Sequence, residues 1–141
     1  MTKYKTWQLV NQCKGSYFSW KNIDENGFHV FYIERGAISC QLTVKSFWKL
    51  LYYNDLYFES IDFDRASYTN LILNHSWDDL IITEVSIADN YELRFMLKGK
   101  MEFIIPVLAR EKSGYKGSLY PIWELKSKNT IIAASYHKEE L

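Results

Sequence analysis

The sequence predicts an α+β protein: a mostly antiparallel, twisted sheet of two hairpin or meander units, packed by one central helix. Three observations predict it. Residues 81–107 hold three runs that alternate apolar and polar with period two, the mark of half-buried strands. Residues 28–43 hold two more such runs about a turn. Between the two units, Val44, Phe47, Trp48 and Leu51 fall at i, i+3, i+4 and i+7, the spacing of one helix face.

Taken in order, Tyr4, Trp7, Val10 and Cys13 lie three apart, with Gly15 where a helix C-cap would sit. A short N-terminal helix is the reading taken, with a strand as the alternative. Tyr17–Ile23 reads as a strand, and Asn26-Gly27 as a turn. In the next hairpin a Glu34-Arg35-Gly36 loop pairs Tyr32 with Ile38, Val30 with Cys40 and Phe28 with Leu42, which gives an apolar even-numbered face. Cys40 is then a small core residue rather than a reactive thiol. The central helix follows, with Thr43 as its cap and Asn54-Asp55 as its stop. Leu56–Phe63 alternates weakly, as an edge strand does, and Arg65–Ser76 reads either as a short helix or as a loop.

The meander is the best-defined unit. Its odd positions are Ile81, Val85 and Ile87, then Tyr91, Leu93 and Phe95, then Met101, Phe103, Ile105 and Val107. A three-residue loop Ala88-Asp89-Asn90 pairs Ile87 with Tyr91 and Val85 with Leu93. A loop Leu97-Lys98-Gly99 pairs Phe95 with Met101 and Leu93 with Phe103. Asn90 and Gly99 then take the left-handed backbone that such loops require. On the opposite face Glu84, Arg94 and Glu102 stand side by side, and a one-residue slip would bury that row. After the meander, residues 108–118 are rich in Lys, Gly and Ser and read as a mobile loop. Leu119–Leu125 and Thr130–Tyr136 read as two closing strands around Ser127-Lys128-Asn129, and 138–141 as a polar tail.

At 141 residues, with no linker and no repeat, the chain reads as one domain over 1–141. Two cysteines without zinc spacing, no leader-like apolar stretch after Met1 and no run long enough to span a membrane point to a cytoplasmic protein.

The zero net charge hides an uneven distribution. Residues 1–54 and 93–141 each carry +4, whereas 55–92 carry −8. That acidic stretch is interleaved with Tyr57, Phe58, Phe63, Tyr68, Trp77 and Tyr91. Aromatic side chains anchor protein interfaces, and a field of one sign speeds encounter with an oppositely charged partner. The predicted contact residues for a basic protein partner are Tyr57, Glu59, Asp62, Asp64, Tyr68, Asp78 and Asp79. Scattered lysines around an acidic centre argue against nucleic acid. His75 with Asp78 and Asp79 is the one His/carboxylate cluster, and it reads as a solvated loop rather than a metal site. His29 and His137 read as exposed or satisfied. No catalytic constellation is present in order or spacing, so enzyme activity is not expected, and neither is a cofactor. The alternative function is a small-ligand or nucleotide-binding protein, with an aromatic pocket and the 112–118 loop, through Lys112, Tyr115 and Lys116.

The run from Trp77 to Val85, WDDLIITEV, leads into the meander and resembles a pattern in small bacterial toxin-immunity proteins. There an aromatic-His-Asp triplet opens such a meander; this chain has Asp78 at the His position. The resemblance covers about thirty residues. It implies an inhibitor, of bacterial or phage type, that neutralises a toxin or effector by binding it and performs no chemistry of its own.

Overall fold

The computed structural model describes residues 3–60, 80–88, 92–106, 121–127 and 130–136. Among these residues a helix, α1 (Lys3–Asn11), precedes ten strands: β1 (Tyr17–Ile23), β2 (His29–Arg35), β3 (Ile38–Val44), β4 (Lys49–Tyr52), β5 (Asp55–Glu59), β6 (Ile82–Ile87), β7 (Leu93–Leu97), β8 (Met101–Ile105), β9 (Pro121–Ser127) and β10 (Thr130–Tyr136). They form two five-stranded antiparallel sheets, ordered β1-β2-β3-β9-β10 and β5-β4-β8-β7-β6. The fold is therefore mostly β, not a sheet packed by a central helix.

The central-helix expectation fails over 44–54. Val44 ends β3, residues 45–48 cross between the sheets, and β4 begins at Lys49. The buried residues are Val44, Trp48 and Leu50, while Phe47 and Leu51 are only half-buried. An eight-residue apolar pattern cannot by itself separate helix from strand. Aromatic residues favour the pleated surface, and a two-turn helix is marginal without strong packing. The Asn54 stop signal belongs to a hairpin turn instead.

What unites the sheets is an aromatic core. Phe18 of β1 stacks on Phe31 of β2, with centroids 5.0 Å apart. From the facing sheet, Phe103 of β8 lies 4.8 Å from Phe18 and 4.9 Å from Phe31, and Phe95 of β7 lies 5.5 Å from Phe18. Trp48, fully buried in the crossover, closes on Phe31 at 5.3 Å. These contacts define a sandwich whose inner faces interdigitate. One edge is also stitched: Tyr17 bridges Ile81, Gly15 N–H donates to Ile82 C=O and Phe18 N–H to Leu80 C=O. Helix α1, the reading taken from the sequence over the strand alternative, packs against β6 and β10 and adds Val10 to the core.

Registers differ from expectation in an instructive way. In the meander, Val85 pairs with Phe95, Ile87 with Leu93, Phe95 with Phe103 and Leu97 with Met101. Each pairing is two residues away from the one expected, so the same faces are buried. A bulge between Ile82 and Glu84 buries Ile82 and leaves Ile81 half-buried. The second turn is Lys98-Gly99-Lys100, with Gly99 at φ 93° as expected and Lys100 also left-handed at 67°. Asn90 lies outside the described residues. Arg94 pairs with Glu102 at 2.6 Å, but Glu84 turns to Lys14 at 3.0 Å, so only half of the charged row forms.

The β2–β3 hairpin slips by an odd number. Arg35 pairs with Ile38 across a two-residue Gly36-Ala37 turn, so Ile33 faces Cys40 and Phe31 faces Leu42. The inward face of β2 is thus Phe31 and Ile33 rather than Phe28, Val30 and Tyr32. Gly36 at φ 57° in the first central position suits a type II′ turn, which the sequence reading overlooked. Cys40 and Cys13 are both buried, and burial pushes both thiols up, Cys13 to about 12. Cys40 is a core residue, as expected. Strand β9 begins at Pro121, two residues later than expected, and β10 spans the expected residues.

Candidate functional site

Strands β4 and β5 form the outer hairpin of the second sheet, and two departures from regular geometry shape it. The first is its turn. Tyr52 pairs with Asp55, so Tyr53 and Asn54 are the two loop residues, with φ of 53° and 69°. Positive φ at both positions is a type I′ turn, normally filled by Asn-Gly. A tyrosine at the first position holds Cβ against the following carbonyl, at a cost of about 1–2 kcal/mol. The second departure is a bulge: Leu50 pairs with Phe58 and Leu51 with Leu56, so the register passes over Tyr57. A bulge bends its strand and re-aims a side chain.

Both departures put aromatic side chains into solvent. Tyr53 is 61 % exposed, Leu56 56 % and Tyr57 41 %. The rings of Tyr53 and Tyr57 both meet Tyr52 edge-on, at 4.6 and 6.0 Å, so three tyrosines form one cluster with Leu56 beside it. Tyr52 and Phe58 pack against the core and root the cluster in the sandwich. The tip is anchored a second time, since Tyr53 N–H donates to Lys100 C=O at 3.0 Å. That bond sets the exposed Lys100 beside Tyr53.

Such a tip suits recognition of a protein surface. Tyrosine offers large, stiff, amphipathic contact area at small entropic cost. Addition of a strand from another chain is poorly supported at this edge. Strand β5 is short and bulged, with Asp55 and Glu59 at its ends. Two copies laid antiparallel about Tyr57 would set Asp55 against Glu59, like charge on like. Short length, a bulge and charge are the devices by which sheet edges resist pairing.

Of the predicted contact residues, Tyr57 is one of the two outer rings of this cluster and Glu59 is half-buried at the end of β5. Asp62, Asp64, Tyr68, Asp78 and Asp79 lie outside the described residues, as do His75, His137, Lys112, Tyr115 and Lys116. The described part of the tip is of mixed sign, with Asp55 paired to Tyr52 at the turn and Lys100 bonded to Tyr53, while Glu59 lies at the far end of β5 opposite Lys49. Sequence reasoning missed Tyr52, Tyr53 and Leu56, because a helix reading of 44–54 hides the hairpin. The signal that would have found them is Tyr53-Asn54 between two short apolar runs, with Asn tolerant of left-handed backbone.

Among the described residues no group of three or more His, Cys, Asp or Glu is placed to hold a metal ion. No helix among them is long and apolar enough to cross a membrane. His29 is satisfied, as expected: its Nδ1 accepts a hydrogen bond from Trp20 Nε1 at 3.1 Å, and burial lowers its pKa. The chain matches no protein-family model, no curated protein and no solved structure.

Proposed function

We propose that this chain is a cytoplasmic protein-binding inhibitor of the immunity or antagonist type, which neutralises a basic toxin or effector by occupying its surface. The observation that carries the reading is the tyrosine tip of the β4–β5 hairpin. A strained turn and a bulge both serve to display apolar side chains that a solitary fold would gain by burying. The acidic charge of residues 55–92 supports a basic partner, since the tip begins that segment and Asp62, Asp64, Asp78 and Asp79 follow it in the chain. In this reading the tyrosines hold the partner and the carboxylates speed its arrival.

The two contributions separate kinetically. Surface-plasmon kinetics with the captured partner at two ionic strengths compares the wild type with a variant carrying Asn at 62, 64, 78 and 79. The association rate falls in the variant and loses much of its salt dependence, while dissociation changes little. An association rate indifferent to both salt and substitution refutes the electrostatic half of the reading.

A further inference from the structure

At the opposite end of the sandwich from the tyrosine tip, Trp20, His29 and Trp48 meet where the chain crosses from one sheet to the other. Strand β2 places His29 between Ile23 of β1 and Val44 of β3. A bulge at Lys21 separates the Trp20–Phe31 pair from the Asn22–Val30 pair, and Trp20 Nε1 reaches His29 Nδ1 at 3.1 Å. On its other side the His29 ring stands edge-on to Trp48, with centroids 5.3 Å apart. Trp48 is tied in turn to the start of the next segment: its N–H donates to Ser60 Oγ at 3.0 Å, Ser60 N–H donates back to its C=O at 2.9 Å, and its ring stacks on Phe58.

The hydrogen bond fixes the protonation state of the histidine. An indole N–H only donates, so Nδ1 must present its lone pair, and the ring proton of the neutral imidazole resides on Nε2. We infer that Trp20 and His29 form an acid-sensitive latch across the β1–β2 ribbon, closed while His29 is neutral and opened by its protonation. A proton on Nδ1 turns the acceptor into a second donor facing the indole, and the two rings must part. Release of Trp20 loosens the β1–β2 end and, through the His29–Trp48 contact, the crossover between the sheets.

Several charged groups stand near the latch among the described residues. Lys21 of β1 lies over the Tyr32 ring at 4.6 Å, and Asp24 accepts from the amides of Asn26 and Phe28. Lys45 of the crossover pairs with Glu124 of β9 and lies over the Phe28 ring, Glu25 is exposed in the turn, and Lys49 is half-buried at the start of β4. Burial lowers the pKa of His29 from its ordinary 6.5, which is the direction a closed latch requires. The linkage sign follows. The unfolded chain takes up this proton near 6.5 and the folded chain only at lower pH, so the stabilisation is complete above 6.5 and is lost as pH falls through the folded midpoint.

The experiment is an NMR titration of the full chain, following the His29 ring resonances and the Trp20 indole N–H in the same samples. Both move with one midpoint below 6.5, and Trp20→Phe shifts the His29 midpoint upward. A Trp20 indole signal that stays fixed while His29 titrates overturns the latch, as does a His29 midpoint unchanged by Trp20→Phe. Should Trp20→Phe fail to fold, the shared or separate midpoints in the wild type decide the question alone. This inference is independent of the partner reading, because it concerns the unbound protein.

Discussion

Tyr53 has a left-handed backbone and a ring that is mostly in solvent, so neither its local conformation nor its burial explains why a tyrosine stands there. Asparagine adopts the same conformation with far less strain. The Tyr53→Asn substitution is therefore expected to leave the fold intact and to raise stability by about 0.5–1 kcal/mol in denaturant unfolding, within the strain set by the left-handed conformation. A loss of stability instead would mean that the Tyr52–Tyr53 contact outweighs the strain, and the turn would be explained by the fold alone. Gains in stability that cost function are common where a site keeps a locally unfavourable conformation. Tyr57 belongs to the same logic, with its bulge in place of a turn.

At the scale of the element, turns decide what sequence patterns leave open. Gly99 is at φ 93° in the β7–β8 turn, where a β-branched residue is a genuine outlier. Gly99→Val is expected to destabilise by about 1 kcal/mol or more in thermal or denaturant unfolding; an unchanged midpoint would show that the turn relaxes without cost. The same turn explains why the meander was legible in the sequence. Side chains alternate with period two, so a register error of two residues preserves the faces, and Val85, Leu93, Phe95 and Phe103 are buried as the alternation required. The β2–β3 hairpin was not legible, because choosing Glu34-Arg35-Gly36 over Gly36-Ala37 changes parity and exchanges the two faces of β2. The 44–54 segment misled for another reason: of the four helix-spaced positions only Val44, at a strand end, and Trp48, in the crossover, are buried, while the new strand buries Leu50, outside that spacing. Tyr57 was proposed from its acidic, aromatic surroundings, whereas Tyr53 enters the proposed site only with the hairpin in hand.

Over the whole molecule, the residues that hold the fold and those proposed for recognition occupy different places. The sheets are held together by Phe18, Phe31, Phe95, Phe103 and Trp48, all fully or almost fully buried. Phe103→Ala removes a ring that touches both sheets and is expected to cost about 3–5 kcal/mol in denaturant unfolding; a cost near 1 kcal/mol would mean that the two sheets do not share this core. The tyrosine tip lies at the rim of that core, and its exposed atoms contribute little to it, so it can be altered while the fold remains. That separation makes the functional claim directly testable. The measurement is quantitative capture of a stoichiometric protein partner from lysate of the source cell, with immobilised wild type, Tyr53→Asn, Tyr57→Ser and the double variant, each checked for its melting temperature. The wild type retains the partner, and the double variant binds it at least about tenfold more weakly, a difference of about 1.4 kcal/mol, without a lower melting temperature. Equal retention of the same partner by the wild type and the double variant, or no stoichiometric partner on the wild type, would contradict the account.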